Sequence, residues 1–234
     1  MISVVIPTLN AGRTLPQTLA PLVQGVLAEM VKEVIVADGG SSDDTAAIAD
    51  AAGCTLTVGA RGRGEQLIAG ARLARAPWLL FLHADTVLGP DWVEEVRRFI
   101  ARPDSDERAA AFAFALDDNS AAARRTAFWV GARCRFLKLP YGDQGLLVSR
   151  GLYDAVGGYR PIPLMEDVDL VRRLSPRRLV LLTTKAVTGA DRFRMQGYAR
   201  RSFGNLVLLC RFLMGADPAD LARAYDRPHD RQAP

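Results

Sequence analysis

Two aspartates in this chain close apolar runs, and a third opens a helix, which is where an open α/β sheet does its chemistry. Asp38 follows Val34-Ile35-Val36-Ala37, and Asp85 ends the run Trp78-Leu79-Leu80-Phe81-Leu82-His83-Ala84-Asp85. Unbroken apolar runs of this length read as strands buried on both faces of a parallel sheet, and such sheets bind ligands beyond the carboxyl ends of their strands. Asp167, with Glu166 before it, starts a helix that the spacing carries through Leu174. Carboxylates on that edge can hold a divalent cation, accept a hydrogen bond from a nucleotide, or take a proton from a hydroxyl. Each also has a plain structural reading. Alone, Asp38 reads better as the residue that opens an Asx-turn. Glu166-Asp167 alone reads better as a helix start, with Asp as cap and Met165 as a staple.

The elements that must position these groups are legible from alternating patterns. Val4-Val5-Ile6 is a strand that stops at Pro7, followed by the loop Pro7-Thr8-Leu9-Asn10-Ala11-Gly12 and a helix over about 14–30. The Asp38 strand leads to a helix through Ala52 that Ser41 or Ser42 can cap. Cys54 to Val58 is a third strand. Gly59-Ala60-Arg61-Gly62-Arg63-Gly64 then precedes a helix over about 65–75 and offers N–H groups and guanidinium forks to a phosphate; a flexible polar loop is the plain alternative. After the Trp78 strand comes a helix over about 90–100. Four strands alternating with helices predict a parallel sheet. The second half is less regular: strands at 109–116, 146–149 and 179–183, and helices at 121–139, 152–156 and 166–174. Phe203 to Met214 is apolar but too short to span a bilayer.

Composition excludes several classes. At 234 residues, 49% hydrophobic and 24% charged, the chain suits one large globular domain or two small ones. Cys54, Cys134 and Cys210 form no disulfide or zinc pattern. The net charge of +4 is almost wholly arginine, since Lys32, Lys138 and Lys185 are the only lysines. That suits phosphate-rich ligands or an anionic surface, whereas no nucleic-acid reading motif is present, so no nucleic-acid partner is expected. The first loop lacks both GxGxxG and GxxxxGK[ST], which removes the main support for dinucleotide and P-loop sites. No charged and apolar leader precedes the first strand, which predicts a cytoplasmic protein.

Taken together, Val4-Val5-Ile6-Pro7-Thr8-Leu9-Asn10, Val36-Ala37-Asp38-Gly39-Gly40-Ser41, His83-Ala84-Asp85 and Glu166-Asp167 resemble family 2 glycosyltransferases of the GT-A fold, from about Ile2 to Leu182. Gly142-Asp143-Gln144-Gly145, Val156-Gly157-Gly158-Tyr159 and Pro163 to Val168 look like a small bacterial subgroup of that family. The resemblance implies a Rossmann-like, mostly parallel sheet flanked by helices, with a helical C-terminal segment. It implies a single GT-A-type domain over 1–234, with a nucleotide-binding half at 1–105, an acceptor and catalytic half at 106–190, and a helical segment with a polar tail at 191–234.

By the same resemblance, Pro7, Thr8 and Asn10 pack around base and ribose, Asp38 holds the base, and Arg63, preferred over Arg61, holds nucleotide or diphosphate. His83-Ala84-Asp85 stands at the DxD motif, with Asp85 as ligand to Mn²⁺ or Mg²⁺. His83 replaces the first aspartate; a hydrogen-bonded core histidine is its favoured structural reading. Asp167 is the base, with Glu166 beside it. Asp143 and Gln144 are donor-sugar or acceptor contacts, and a polar turn suits them equally well. The implied reaction is inverting transfer of a sugar from a nucleotide sugar to an acceptor hydroxyl. A non-catalytic nucleotide-sugar binding module and a nucleotidyltransferase are the competing readings. A haloacid-dehalogenase-like phosphatase fails because His83 occupies the place of its nucleophile. Arg192, Arg194, Arg200 and Arg201 before the apolar run 206–214, with the similar 124–138 helix, also suit peripheral contact with the inner face of a membrane. A buried core helix with a basic flank is the alternative slightly preferred.

Overall fold

The computed structural model of the protein describes residues 1–225. Eight strands, β1 (Ile2–Thr8), β2 (Val31–Asp38), β3 (Thr55–Val58), β4 (Trp78–Phe81), β5 (Thr86–Leu88), β6 (Ala109–Leu116), β7 (Leu146–Ser149) and β8 (Leu179–Thr188), form one sheet in the order β3-β2-β1-β4-β7-β6-β8-β5. The first four neighbours run parallel, as expected. The other half is mixed, because β7 lies antiparallel to both β4 and β6 while β8 runs parallel to β6. An apolar run reports burial and is silent about direction, so this reversal has no signature in sequence.

Alternation along the strands divides the core. Val4, Ile6, Leu80 and Leu82 point to one face, where α1 (Leu15–Leu27), α2 (Thr45–Ala51) and α4 (Trp92–Ile100) pack. Val5, Leu79 and Phe81 point to the other, beneath α3 (Arg63–Leu73), α6 (Arg150–Ala155) and α7 (Glu166–Leu174). A side chain at Gly70 would collide with Val5, so glycine there lets α3 lie close on the sheet. A third, smaller cluster of Phe114, Leu116, Ala123 and Ala190 joins α5 (Ala121–Leu137) to α8 (Asp191–Gln196) and α9 (Tyr198–Leu213), and α10 (Pro218–Tyr225) follows.

Several boundaries differ from expectation for identifiable reasons. β1 continues through Pro7 to Thr8. Its pairing with β4 ends at Val5–Phe81 while β2 pairs on to Thr8, so the missing N–H of Pro7 falls on the side from which the partner strand has withdrawn. Neither Ser41 nor Ser42 caps α2; Asp44 is its N-cap, without a side-chain bond, and both serines are engaged in the loops before it. β8 runs past Thr183 to Thr188, a register shift opposite Ala111–Ala113 absorbing the polar stretch. β5, three residues long, was not expected, while α8, α9 and α10 make up the expected helical C-terminal segment.

Candidate active site

One side of the candidate site is built where β1 and β2 end together, with Thr8 opposite Asp38. Asp38 is 3% exposed. One of its oxygens accepts from the Thr8 hydroxyl at 2.8 Å and from the Ser41 hydroxyl; the other accepts from Gly40 N at 2.9 Å and Ser41 N at 2.7 Å. Burial alone would raise its pKa, but these bonds outweigh it and hold the carboxyl below its ordinary value. The Asx-turn is therefore present. Its four donors fill the roughly four lone-pair sites of a carboxylate, so a nucleobase N–H reaches Asp38 only if the Thr8 or Ser41 hydroxyl rotates away.

Asn10, in the left-handed region at φ 52°, accepts from Ser42 N at 2.9 Å, and its own N–H donates to Ser41 Oγ at 2.8 Å. Gly12 N donates to Asp43 at 2.8 Å, so the loops after β1 and β2 form one unit. A cleft of about 90 Å³ opens beside it, lined by Asp38, Thr57, Gly59, Ala60 and Glu65. Sequence reasoning missed Gln66, which is buried and donates through Nε2 to the carbonyls of both Thr8 and Ala37, tying the two strand ends together. The signal was present: Gln66 stands four residues before Gly70, on the helix face that meets the sheet.

The acidic side of the candidate site is set by the antiparallel pairing of β4 with β7. Phe81 lies opposite Leu146, which brings the turn Gly142–Gln144, just before β7, beside His83. A Cβ on Gly142 would stand 2.5 Å from His83 Nε2 and 3.3 Å from Asp167 Oδ2, so only glycine fits between them. Asp167 accepts from Gly142 N at 2.6 Å through Oδ2 and from Val168 N at 2.7 Å through Oδ1. It does not cap α7. Met165 is the N-cap, in the left-handed region at φ 65° and without a side-chain bond.

Glu166 is 1% exposed, and Arg63 Nη1 meets its Oε1 at 3.3 Å. Burial lifts the Glu166 pKa to about 7, with Arg63 opposing and Asp167 adding to the rise. Burial works against the charge of Arg63, and Glu166, Asp167 and Asp85 hold it protonated. Arg61 is exposed and enters no ion pair among the described residues.

Asp143 is pushed up to about 7 by burial, with Arg133 opposing and the charges of Asp167 and Asp85 reinforcing. Its Oδ1 is buried without a hydrogen-bond partner among the described residues. Its neighbour Gln144 turns the other way. It is 2% exposed, accepts from Cys134 Sγ at 3.0 Å and donates to Phe112 O at 2.9 Å, so its amide braces the protein. His83 is not the hydrogen-bonded core histidine expected. No hydrogen bond reaches its ring among the described residues, and burial, with Arg63 and Arg192 nearby, holds its pKa well below the ordinary value, leaving it neutral. His83, Gly142, Tyr159, Glu166 and Asp167 line a narrow pocket of about 10 Å³. Tyr159, from the Gly157-Gly158 turn, stacks edge-on to Phe81 at 4.8 Å.

Ala84 is partly buried and Asp85 is exposed, just beyond the end of β4. Among the described residues no three His, Cys, Asp or Glu side chains gather into a metal cluster. A divalent ion at Asp85 would complete its shell from phosphates and water, as Mg²⁺ commonly does. The residues fit such an ion, since the orphaned Asp143 oxygen lies in the field of Asp85 and neither Arg133 nor Arg63, which act on it only at a distance, hydrogen-bonds it. On the rim, Arg13 pairs with Asp191 at 2.9 Å, while Arg192 and Arg201 donate to the Tyr225 hydroxyl at 3.1 and 2.8 Å.

A parallel half-sheet with an open cleft at its strand ends, joined to a mixed half that carries the acidic pair, is the GT-A architecture. The mannosyltransferase PcManGT of Pyrobaculum calidifontis, solved with GDP-Man and Mn²⁺, matches it with a TM-score of 0.65 at 16% identity, over 96% of this chain and 68% of that one. TarS of S. aureus matches with a TM-score of 0.63 at 16% identity, over 94% of this chain and 68% of its own. The chain belongs to glycosyl transferase family 2, whose family model matches residues 3–162. Among its relatives, a PGL/p-HBAD biosynthesis glycosyltransferase of Mycobacterium tuberculosis is 31% identical over 179 residues, covering 68% of this chain. The match spans 63% of that relative's length.

Proposed function

We propose that the protein transfers a sugar from a nucleotide-sugar donor to an acceptor hydroxyl, with inversion and with help from a divalent cation. The observation that carries this reading is Asp167. It is fixed by Gly142 N rather than used as a helix cap, and it shares a pocket with His83, two residues from Asp85. The acceptor oxygen attacks the anomeric carbon as the bond to the diphosphate breaks, and its proton passes to Asp167. Each Asp167 oxygen accepts one protein hydrogen bond, which leaves a lone pair for that proton. Neutral His83 can hydrogen-bond a sugar hydroxyl without adding charge. Asp85 would hold Mn²⁺ or Mg²⁺, which supplies positive charge to the leaving diphosphate.

Arg63, half exposed beside Glu166, is suited to the donor's phosphates, and the cleft at Asp38 to its base. The structural neighbours were solved with different nucleotides, UDP-GlcNAc in TarS and GDP-Man in PcManGT, so the base of this donor is left open. No helix among the described residues is long and apolar enough to cross a membrane. The proposal includes a cytoplasmic protein in peripheral contact with the inner membrane face.

The test is a panel of nucleotide sugars with Mn²⁺ or Mg²⁺, scored by calorimetric binding and nucleoside diphosphate release. Asp85→Ala is expected to weaken metal-dependent donor binding more than about tenfold while the protein stays folded, a loss in the range seen when metal-site groups are removed. Unchanged affinity in a folded Asp85→Ala protein would remove the metal assignment. Donor binding with no turnover on any acceptor would favour the binding-module reading.

A further inference from the structure

Two neighbouring helices turn apolar side chains outward. On α5, Phe128 is 69% exposed, Trp129 70% and Phe136 79%, all on its solvent side. α9 packs beside α5 and has only Leu209 buried, so the buried-core alternative for this helix does not hold. Its exposed Phe203 is continued along one face by Leu206, Val207 and Met214. Contiguous exposed apolar surface of this kind marks an interaction site.

The charges on these helices have one sign. Neither α5 nor α9 contains Asp or Glu. Arg124, Arg125, Arg135, Arg200 and Arg211 are exposed along them, and none forms an ion pair among the described residues. This pattern discriminates between occupants. A second copy docked by the same face about a twofold axis would set arginine against arginine. Residues 226–234 contain no apolar side chain larger than proline. An anionic bilayer answers both features, taking aromatic side chains at the acyl boundary and arginines at the headgroups.

The same helix is coupled to the pocket. Arg133 of α5 lies 3.5 Å over the ring of Tyr141, and Cys134 bonds Gln144, so the end of α5 holds the turn whose Gly142 N fixes Asp167. The geometry points to a membrane-docking face formed by α5 and α9, and to an acceptor hydroxyl carried on an amphiphile in that membrane. The acceptor clause rests on the sugar-transfer reading; the docking clause does not.

Flotation with phosphatidylglycerol vesicles, and with phosphatidylcholine vesicles as comparison, tests the docking. The protein is expected to float with the anionic vesicles and to be released by salt. Replacing Phe128, Trp129 and Phe136 together by Ser should cut the bound fraction about tenfold or more, since these aromatic anchors supply the buried apolar area. Because all three are exposed, melting temperature and donor affinity should be unchanged. Equal flotation of the triple variant, or none by the wild type, would overturn the docking face. A dimer by sedimentation that the triple variant abolishes would do so too, assigning the face to a second copy. For the acceptor, a labelled nucleotide sugar that binds is incubated with vesicles of bacterial polar lipid. Label in the organic phase supports a membrane-borne acceptor, and label confined to water-soluble product overturns it. Flotation without binding of any nucleotide sugar would remove the transfer reading and leave the docking face standing.

Discussion

Asp38 and Asp143 sit on turns at the same edge of the sheet, and their surroundings drive them in opposite directions. Asp38 is buried, yet four donors from Thr8, Gly40 and Ser41 hold it ionised below its ordinary pKa. Asp143 has a buried oxygen without a partner and is pushed up to about 7. Glu166 behaves like Asp143, rising to about 7 although Arg63 is beside it. The parallel half thus satisfies its carboxylate completely and presents a preformed cradle. The mixed half leaves its carboxylates short of donors and crowds them together. Enzymes concentrate such tension where protons and charged ligands are handled, because a group already displaced from its solution pKa responds most when a ligand arrives.

The sharpest way to break this contrast is Asp167→Asn. Asn keeps the size and one acceptor oxygen but cannot take the proton, so turnover should fall by roughly 10²- to 10⁴-fold, the usual contribution of a positioned base. Donor affinity, measured by calorimetry, should stay near wild type. Wild-type turnover in the folded variant would refute the base, and lost donor binding would make Asp167 a sugar or metal contact.

The next effect is on stability. Asp38→Asn would turn an amide toward the N–H groups of Gly40 and Ser41, and denaturant unfolding at pH 7 should register a loss of about 1–3 kcal/mol. The folded pKa of Asp38 lies below its unfolded value, so its contribution is present above the unfolded value and disappears as pH falls through the folded one. Wild type and variant should therefore converge in acid.

The smallest effect has the opposite sign. Asp143 is raised from 3.8 to about 7 in the folded protein, so its contribution is full below 3.8 and is lost as pH climbs to about 7. In metal-free buffer Asp143→Asn should gain about 1 kcal/mol over wild type at pH 8, the scale of one unpaired buried polar group. Melting curves at pH 8 and pH 4 check this, and an advantage that persists at pH 4 would show that ionisation is not its cause.

Much of the parallel half was legible because its strands are apolar runs that end in polar residues, and parallel packing puts those ends on one edge. The shared edge of Asp38 and Asp85 follows from that, whereas the pairing of Arg63 with Glu166 joins two helix starts 103 positions apart and had no signal in the sequence. The direction of β7 was not legible, and with it went the approach of Gly142 to His83 and the burial of Asp143, which depend on that antiparallel neighbour. Gln144 looked like a ligand contact because it is polar and on a turn; its bonds to Cys134 and Phe112 join residues 10 and 32 positions away. Thr183, Thr184 and Lys185 hid the second half of β8, where alternation yields to a register shift.

The seam between β4 and β7 acts as a gauge block for the candidate site. A slip of one residue would displace Gly142 by about 3.3 Å and turn every side chain of β7 to the opposite face, so the spacing of His83 and Asp167 tolerates no drift there. The connection from Asp117 to Tyr141 is free of that constraint at its solvent side. Its exposed face can change in composition, with Arg133 and Cys134 kept, while four paired residues, Trp78 to Phe81 against Ser149 to Leu146, hold the Gly142 turn beside His83. Exchanging that segment between relatives should alter the acceptor and spare the donor chemistry.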